Sequence, residues 1–256
     1  MTSFQAEVES RISANAEDAE LQRATADFMR TSLVAKYSYN FSWLGRPIIQ
    51  YPQDIAAMQE LIWEVKPDLI VEAGIAHGGS LILSASMLAL LDLTEAIEGG
   101  YTLDPRTSRR RVLGVDIDIR EHNRHAIEAH PMASRISMIQ GSSIAPEVVR
   151  QVRAFAENYS RVLVCLDSNH THDHVLAELE AYASLTSVGS YCVVFDTVVE
   201  DMPGSMFPDR PWGPGDNPKT AVHQFLKSHP EFEIDRSIQN KLLLTVAPDG
   251  YLRRVV

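Results

Sequence analysis

Two aspartates stand where buried apolar runs stop. Arg161-Val-Leu-Val-Cys-Leu-Asp167 is followed by Ser-Asn-His170-Thr-His172-Asp-His174, and Ser190-Tyr-Cys-Val-Val-Phe-Asp196 by Thr-Val-Val-Glu200-Asp201. Ligands of an open parallel sheet bind outside the carboxyl ends of its strands. If the two runs are neighbouring strands, their backbones lie ~4.8 Å apart. Carboxylates that close repel each other, so the pattern points to a cation between Asp167 and Asp196. Oxygen ligands suit a divalent metal. His170 follows Asp167 by three residues, in a strand-to-helix loop, where an imidazole is suited to take a proton at cellular pH. Its bland alternative is a histidine satisfied by backbone at a helix start. His172 and His174 share the segment, and either could replace His170 as base.

A second group of residues suits a nucleoside-like ligand. Val71-Glu72-Ala-Gly74-Ile-Ala-His77-Gly78-Gly79-Ser80 ends a strand and opens a helix. Glycine allows close approach to a ligand, and the first N–H groups of a helix are free. The spacing is not G-x-G-x-x-G, and Glu72 would serve an anionic pyrophosphate poorly, so a cationic or neutral ligand fits better. Gly114-Val-Asp116-Ile-Asp118 places an acid at the tip of the next strand, where ribose hydroxyls are commonly bound; Asp118 reads as the cap of the following helix. Gln140-Gly141-Ser142-Ser143 borders an adenine or caps the helix that opens at Pro146. Each turn alone is common in α/β proteins, and their joint order is more specific. The cofactor-binding candidates are Glu72, Gly74, His77, Gly79, Ser80, Asp116, Ser142 and Asp167.

The elements that must position these residues alternate. Strands are predicted at 68–74, 112–118, 135–141, 161–167 and 190–196, and helices at about 79–92, 121–129, 146–158 and 172–187. Near-continuous Val/Ile/Leu strands separated by helices indicate a parallel sheet covered on both faces. Glu231–Ile238 and Lys241–Ala247 read as a hairpin, which would end the sheet in an antiparallel strand. Before the sheet, an amphipathic helix is expected over 14–31, then an aromatic stretch from Lys36 to Pro52, then a helix closed by Pro67. Tyr37, Tyr39, Phe41 and Trp43 either stack on a ligand or pack on the core. The loop from Glu200 to Thr220 carries five prolines and Trp212, and its length suggests a lid or a subunit contact. The expectation is an α/β, Rossmann-like single domain over 1–256, with 1–52 as an amino-terminal helical and aromatic arm.

Composition narrows the partners. The chain has 256 residues, 45% hydrophobic and 22% charged, enough for a sizeable core. A net charge of −11 argues against a nucleic-acid backbone as partner. The basic run Arg106 with Arg109-Arg110-Arg111 reads as a solvated or oligomer-contact loop. Cys165 and Cys192 lie inside predicted strands, as inert thiols in a reducing cytoplasm would. The apolar stretch from Leu81 to Leu91 is too short to span a bilayer. A cytoplasmic homo-oligomer acting on a small molecule, with no membrane partner, is expected.

Glu72-x-Gly74, Asp116 and Asp167 follow the pattern of class I S-adenosylmethionine-dependent methyltransferases. Leu166-Asp-Ser-Asn-His-Thr-His-Asp-His-Val175, Val194-Phe-Asp-Thr-Val-Val-Glu-Asp-Met-Pro203 and Trp212-Gly-Pro-Gly-Asp-Asn-Pro-Lys-Thr-Ala221 resemble the cephalosporin hydroxylase and rhamnosyl O-methyltransferase family, over roughly residues 35–256. The resemblance implies a magnesium-dependent O-methyltransferase acting on a deoxysugar hydroxyl, free, nucleotide-linked or as a glycoside, in natural-product or surface-glycan biosynthesis. It implies Asp167 and Asp196 as metal ligands and His170 as base. Some relatives carry Glu-Asp where this chain has Phe195-Asp196, which leaves the third ligand open, with Glu200 and Asp201 the nearest acids.

The chemistry stands without the family. A sugar hydroxyl holds its proton too tightly to attack near neutral pH, and a bound divalent ion stabilises the alkoxide as it forms. A methyl sulfonium carries its own leaving group, so the protein mainly aligns donor and acceptor. An iron-dependent hydroxylase would instead need a two-His-one-carboxylate triad, for which His170, Asp173 and His174 supply the atoms. A non-catalytic cofactor-binding protein is the third reading, and the missing glycine fingerprint places an NAD-linked reductase last.

Overall fold

The computed structural model describes residues 2–256. The amino-terminal region is two helices, α1 (Ser3–Glu17) and α2 (Ala19–Val34), where a single helix was expected over 14–31. Asp18 separates them by accepting the Glu20 and Leu21 N–H groups, a role that suits Asp better than a helix interior does. A short hairpin of β1 (Phe41–Trp43) and β2 (Arg46–Ile48) follows. Tyr37 packs edge-on against Phe28 and Phe41, with ring centroids 5.9 and 5.1 Å away. Trp43 Nε1 donates to Ser86 Oγ at 2.9 Å. Packing therefore accounts for Tyr37, Phe41 and Trp43, while Tyr39 is exposed.

The remaining elements are α3 (Pro52–Val65), β3 (Leu69–Ala73), α4 (Gly79–Gly99), β4 (Arg111–Asp116), α5 (Glu121–Glu128), β5 (Ile136–Gln140), α6 (Pro146–Ala156), β6 (Val162–Leu166), α7 (His172–Tyr182), β7 (Tyr191–Val194), α8 (Pro218–Phe225), β8 (Phe232–Ile234), α9 (Arg236–Leu242) and β9 (Tyr251–Arg254). Seven strands form one sheet in the order β5-β4-β3-β6-β7-β9-β8, parallel from β5 to β7 and antiparallel at β9. Alternate strand residues face two cores. Ile70, Val112 and Leu163 meet α3 and α4, whereas Val71, Leu113 and Val164 meet α6, α7 and α8. Burial on both faces is why these strands read as unbroken apolar runs.

From β3 the chain builds outward to β4 and β5, then returns to place β6 on the other side of β3. Strand order reverses at that point, which opens a crevice at the carboxyl ends of β3 and β6. Ala73 pairs with Leu166 and Leu166 with Val194, so Gly74, Asp167 and the residues leaving β7 share one rim.

The carboxyl end departs from the expected hairpin of 231–238 and 241–247. Asp235 accepts the Ser237 N–H and starts α9, and the strand that pairs with β8 is Tyr251–Arg254. A run as short as Leu242-Leu-Leu-Thr-Val246 fits a helix end or a strand equally well. The helix expected at 79–92 continues to Gly99. It is the one helix among the described residues long and apolar enough to cross a membrane, and 61% of its most apolar window is buried inside the fold. Arg110 is not a solvated loop residue: it bonds Asp92 and Glu95, each at 2.5 Å, and ties the loop after α4 back to that helix.

Candidate active site

Asp167 leaves β6 with its N–H bonded to Ala73 O at 2.8 Å, so it starts directly above the crevice. Asp196 leaves β7 in the left-handed region, φ 55° and ψ 20°, a conformation Asp tolerates better than most residues. That turn sends its carboxylate back toward the neighbouring loop, where Oδ2 lies 3.1 Å from His170 Nδ1. One ligand atom from each of Asp167, His170 and Asp196 lies within 4.8 Å of the others. All three residues are half-buried.

Burial raises the Asp167 carboxyl well above the usual carboxylate range, and the charges of Asp196, Glu72, Glu178 and Asp54 push it the same way. A divalent cation held by these groups would relieve that repulsion, so the donor set fits such an ion.

Glu200 does not join them. Its carboxylate accepts the Gly215 N–H at 2.7 Å and the Asn217 side-chain amide, and so anchors the turn before α8. Asp201 pairs with Lys219 at 2.5 Å. Neither acid considered as a third ligand reaches the group, because the short 3₁₀ turn over Thr197–Asp201 directs both toward α8. The other two histidines serve local contacts. His172 Nδ1 meets Thr220 Oγ1 at 2.8 Å, and His174 Nε2 meets Ser143 Oγ at 3.1 Å. Among the described residues, His170, Asp173 and His174 form no ligand group.

The glycine turn after β3 is shaped by what presses on it. Gly74 has φ +98°, and a Cβ there would lie 2.0 Å from Asp167 O. A Cβ on Gly79 would lie 2.2 Å from Pro47 O, so its absence lets β2 lie against the start of α4. Arg46 clamps the two together, donating from Nε to His77 O at 3.1 Å and from Nη2 to His77 O at 2.5 Å and Asn123 Oδ1 at 3.1 Å. The residues after β2 thereby roof the turn.

Two cavities lie under this roof. One, of about 320 Å³, is lined by Ile48, Gln50, Gly74, His77, Gly79, Ser80 and Asp167 among others. The second, of about 370 Å³, shares Gln50, Ser80 and Asp167 with it and adds Asp54, Glu72 and Phe195. No Lys or Arg lines either cavity. Burial pushes Glu72 up to about 7 against the opposing effect of its hydrogen bond from Ser80. Burial likewise raises Asp54 to about 6, although Thr245, Val246 and Tyr251 all donate to it. Such a lining suits a cation or a neutral group.

Asp116 and Ser142 stand at neighbouring strand ends, outside both linings. Asp116 accepts the Ile75, Ala76 and Asp118 N–H groups at 2.8, 3.2 and 2.9 Å, which braces the glycine turn against β4. Asp118 does not cap the next helix; Arg120 occupies that position. The Ser142 carbonyl accepts the Ala145 N–H at 2.9 Å in the turn before α6.

Gln50 escaped the sequence reading, and Trp212 entered it only as part of the 200–220 loop. Gln50 is buried and donates from Nε2 to Asp167 Oδ2 at 3.2 Å. The Trp212 ring lies 4.8 Å from that of His170, with the Arg210 guanidinium 5.1 Å above the indole. No spacing links either residue to the strand ends; Gln50 was marked only by its place in the aromatic 36–52 stretch, and Trp212 by its place in the candidate lid.

Comparison with known proteins shows the family of the chain. Residues 35–255 match the family model described as Rhamnosyl O-methyltransferase/CmcI. Rhamnosyl O-methyltransferase of Mycobacterium tuberculosis (strain ATCC 25618 / H37Rv) is 28% identical over 207 residues, covering 78% of this chain and 73% of the relative. The protein of the same name from Mycobacterium leprae (strain TN) is 26% identical over 215 residues, covering 83% of this chain and 82% of the relative. Among solved structures, CmcI with Mg and SAM superposes with a TM-score of 0.55 at 18% identity, covering 85% of this chain and 78% of that one. CmcI with SAH gives 0.54 at 20% identity, with coverage of 84% and 83%, and both show the same fold. By the match over almost its whole length, the chain belongs to the rhamnosyl O-methyltransferase/CmcI family, within the S-adenosylmethionine-dependent O-methyltransferases.

Proposed function

We propose that this protein transfers a methyl group from S-adenosylmethionine to a hydroxyl of a deoxysugar of rhamnose type, assisted by a divalent cation such as magnesium. The observation that carries this reading is the grouping of Asp167, His170 and Asp196 beside acidic cavities that lack Lys and Arg. A sulfonium donor bearing an ammonium group is cationic, and such cavities favour it. The mycobacterial relatives are named for rhamnosyl O-methylation, and a CmcI structure is described with Mg and SAM.

In this reading Asp167 and Asp196 hold the cation and His170 is the base. The cation, when bound, stabilises the alkoxide that an acceptor hydroxyl becomes. The Asp196 carboxylate, 3.1 Å from His170 Nδ1, favours a proton on that nitrogen, which leaves Nε2 to take the hydroxyl proton. Glu72, Gly74, His77, Gly79 and Ser80 form the donor side of the crevice, with Asp116 bracing the turn. Trp212, against His170, offers an aromatic face to the sugar, and the loop around it acts as a lid.

Calorimetry with S-adenosylhomocysteine, with and without magnesium, and a methyl-transfer assay on rhamnosyl acceptors test the proposal together. Homocysteine-nucleoside binding with magnesium-dependent methylation is expected. Binding without transfer to any hydroxylated acceptor would favour a non-catalytic cofactor-binding protein.

A further inference from the structure

Gln50 is 6% exposed, lines both cavities and belongs to the roof rather than to the sheet rim. Its amide is oriented by Asp167, which is ionised when it holds a cation and then only accepts: Nε2 faces Asp167 Oδ2 at 3.2 Å, which directs Oε1 the other way. Oε1 is buried and, among the described residues, has no hydrogen-bond partner. Buried carbonyl oxygens are rarely left so, since desolvation without a partner is costly.

Some neighbouring acceptors are already engaged. One oxygen of Glu72 takes the Ser80 hydroxyl, and both oxygens of Asp54 are taken by Thr245, Val246 and Tyr251. Oε1 is a neutral, unpartnered acceptor in a lining that offers no Lys or Arg to meet it. A neutral carbonyl also adds an acceptor there without adding a further negative charge to Asp54, Glu72 and Asp167. The position is held from both sides, by Arg46 on His77 O and by the Tyr51 hydroxyl, 2.7 Å from Ser32 Oγ.

We propose that Gln50 is a donor-positioning residue, its side-chain carbonyl accepting from the ammonium group of S-adenosylmethionine while its amide nitrogen steadies Asp167. The inference rests on the methyl-donor reading above and deepens it. One side chain from the amino-terminal arm then touches both the donor and a cation-holding carboxylate, so that the arm completes the site.

The test is calorimetric binding, without turnover, of S-adenosylhomocysteine and of its analogue with the amino group replaced by hydrogen. Gln50→Met, similar in size, is expected to weaken binding of the amino compound by roughly 10- to 100-fold and to leave the analogue nearly unchanged. Gln50→Glu keeps the acceptor oxygen and is expected to retain the preference for the amino compound. Equal losses for both ligands in Gln50→Met, or no loss for either, would overturn the role of Gln50 and leave the donor reading intact. Loss of the preference in Gln50→Glu would overturn it as well. A wild-type protein that binds neither ligand would overturn the donor reading and the inference with it.

Discussion

Asp196 Oδ2 lies 3.1 Å from Nδ1 of His170, across the gap between the loops that leave β7 and β6. A carboxylate at Nδ1 favours the tautomer with its proton on that nitrogen and frees Nε2 as an acceptor. His170→Ala is expected to lower turnover by roughly 10²- to 10⁴-fold, the usual contribution of a general base. Binding of S-adenosylhomocysteine should stay close to wild type. A variant with unchanged turnover would shift the proton to another group.

Removal of the acids should separate binding of the ion from stability. Asp167→Ala and Asp196→Ala are each expected to abolish methyl transfer and to weaken manganese binding, measured by electron paramagnetic resonance titration. Asp167 is held above its ordinary range by burial and by neighbouring charges, so its loss relieves repulsion in the ion-free protein. The thermal midpoint without metal should therefore hold or rise. Full activity of both variants in excess chelator would show that no ion takes part.

Glu72 gives a pH signature. Burial raises it from 4.5 to about 7, against its bond from Ser80. An acid with a higher value folded than unfolded binds its proton more tightly in the native state. Its contribution to stability is then greatest below about pH 4.5 and is lost as pH rises to about 7, by at most about 1.4 kcal/mol per pH unit. Glu72→Gln should flatten the slope across that window in denaturant unfolding at pH 5 and 8. Asp54, raised from 3.8 to about 6, contributes with the same sign over a lower window that ends near pH 6. The same variant should bind S-adenosylhomocysteine more weakly. An unaltered slope would mean that Glu72 is solvated in solution.

Gly74 tests the contact between the two sides of the crevice. Gly74→Ala places a methyl 2.0 Å from Asp167 O at φ +98°, so the loop carrying Asp167 must move. Destabilisation above about 1 kcal/mol is expected, together with weakened manganese binding. Gly100→Ala is the control. It also has positive φ, 65°, but nothing lies within 4 Å of its added methyl, so it should cost stability and spare the ion.

Trp212 should act on the acceptor and not on the donor. Trp212→Ala removes the ring 4.8 Å from that of His170. A rise in acceptor KM is expected with little change in S-adenosylhomocysteine binding, and a loss confined to donor affinity would contradict the lid reading.

The strands and the acids at their ends were readable because parallel strands buried on both faces leave an unbroken apolar signature that stops where solvent begins. Asp167 and Asp196 follow directly from that stop. The turn residues Glu72 and Gly74 were readable for a related reason, since a strand-to-helix turn under close backbone contact admits glycine. Signals failed where short segments carry two meanings. Lys241–Ala247 mixes a helix end with irregular backbone, Asp18 interrupts what reads as one amphipathic helix, and Glu200 looks like a ligand by its distance along the chain.

The linear order of residues thus determined the alternating architecture, the rim on which the acids stand and the glycine turn beside it. Only tertiary structure decided which groups meet there: the left-handed turn of Asp196 toward His170, the diversion of Glu200 to the Gly215 turn, and the arrival of Gln50 and Trp212 from distant segments. Local pattern reports burial and backbone preference over a few residues. Contacts across more than a hundred positions, such as Gln50 with Asp167, depend on how layers stack, and no periodicity records that.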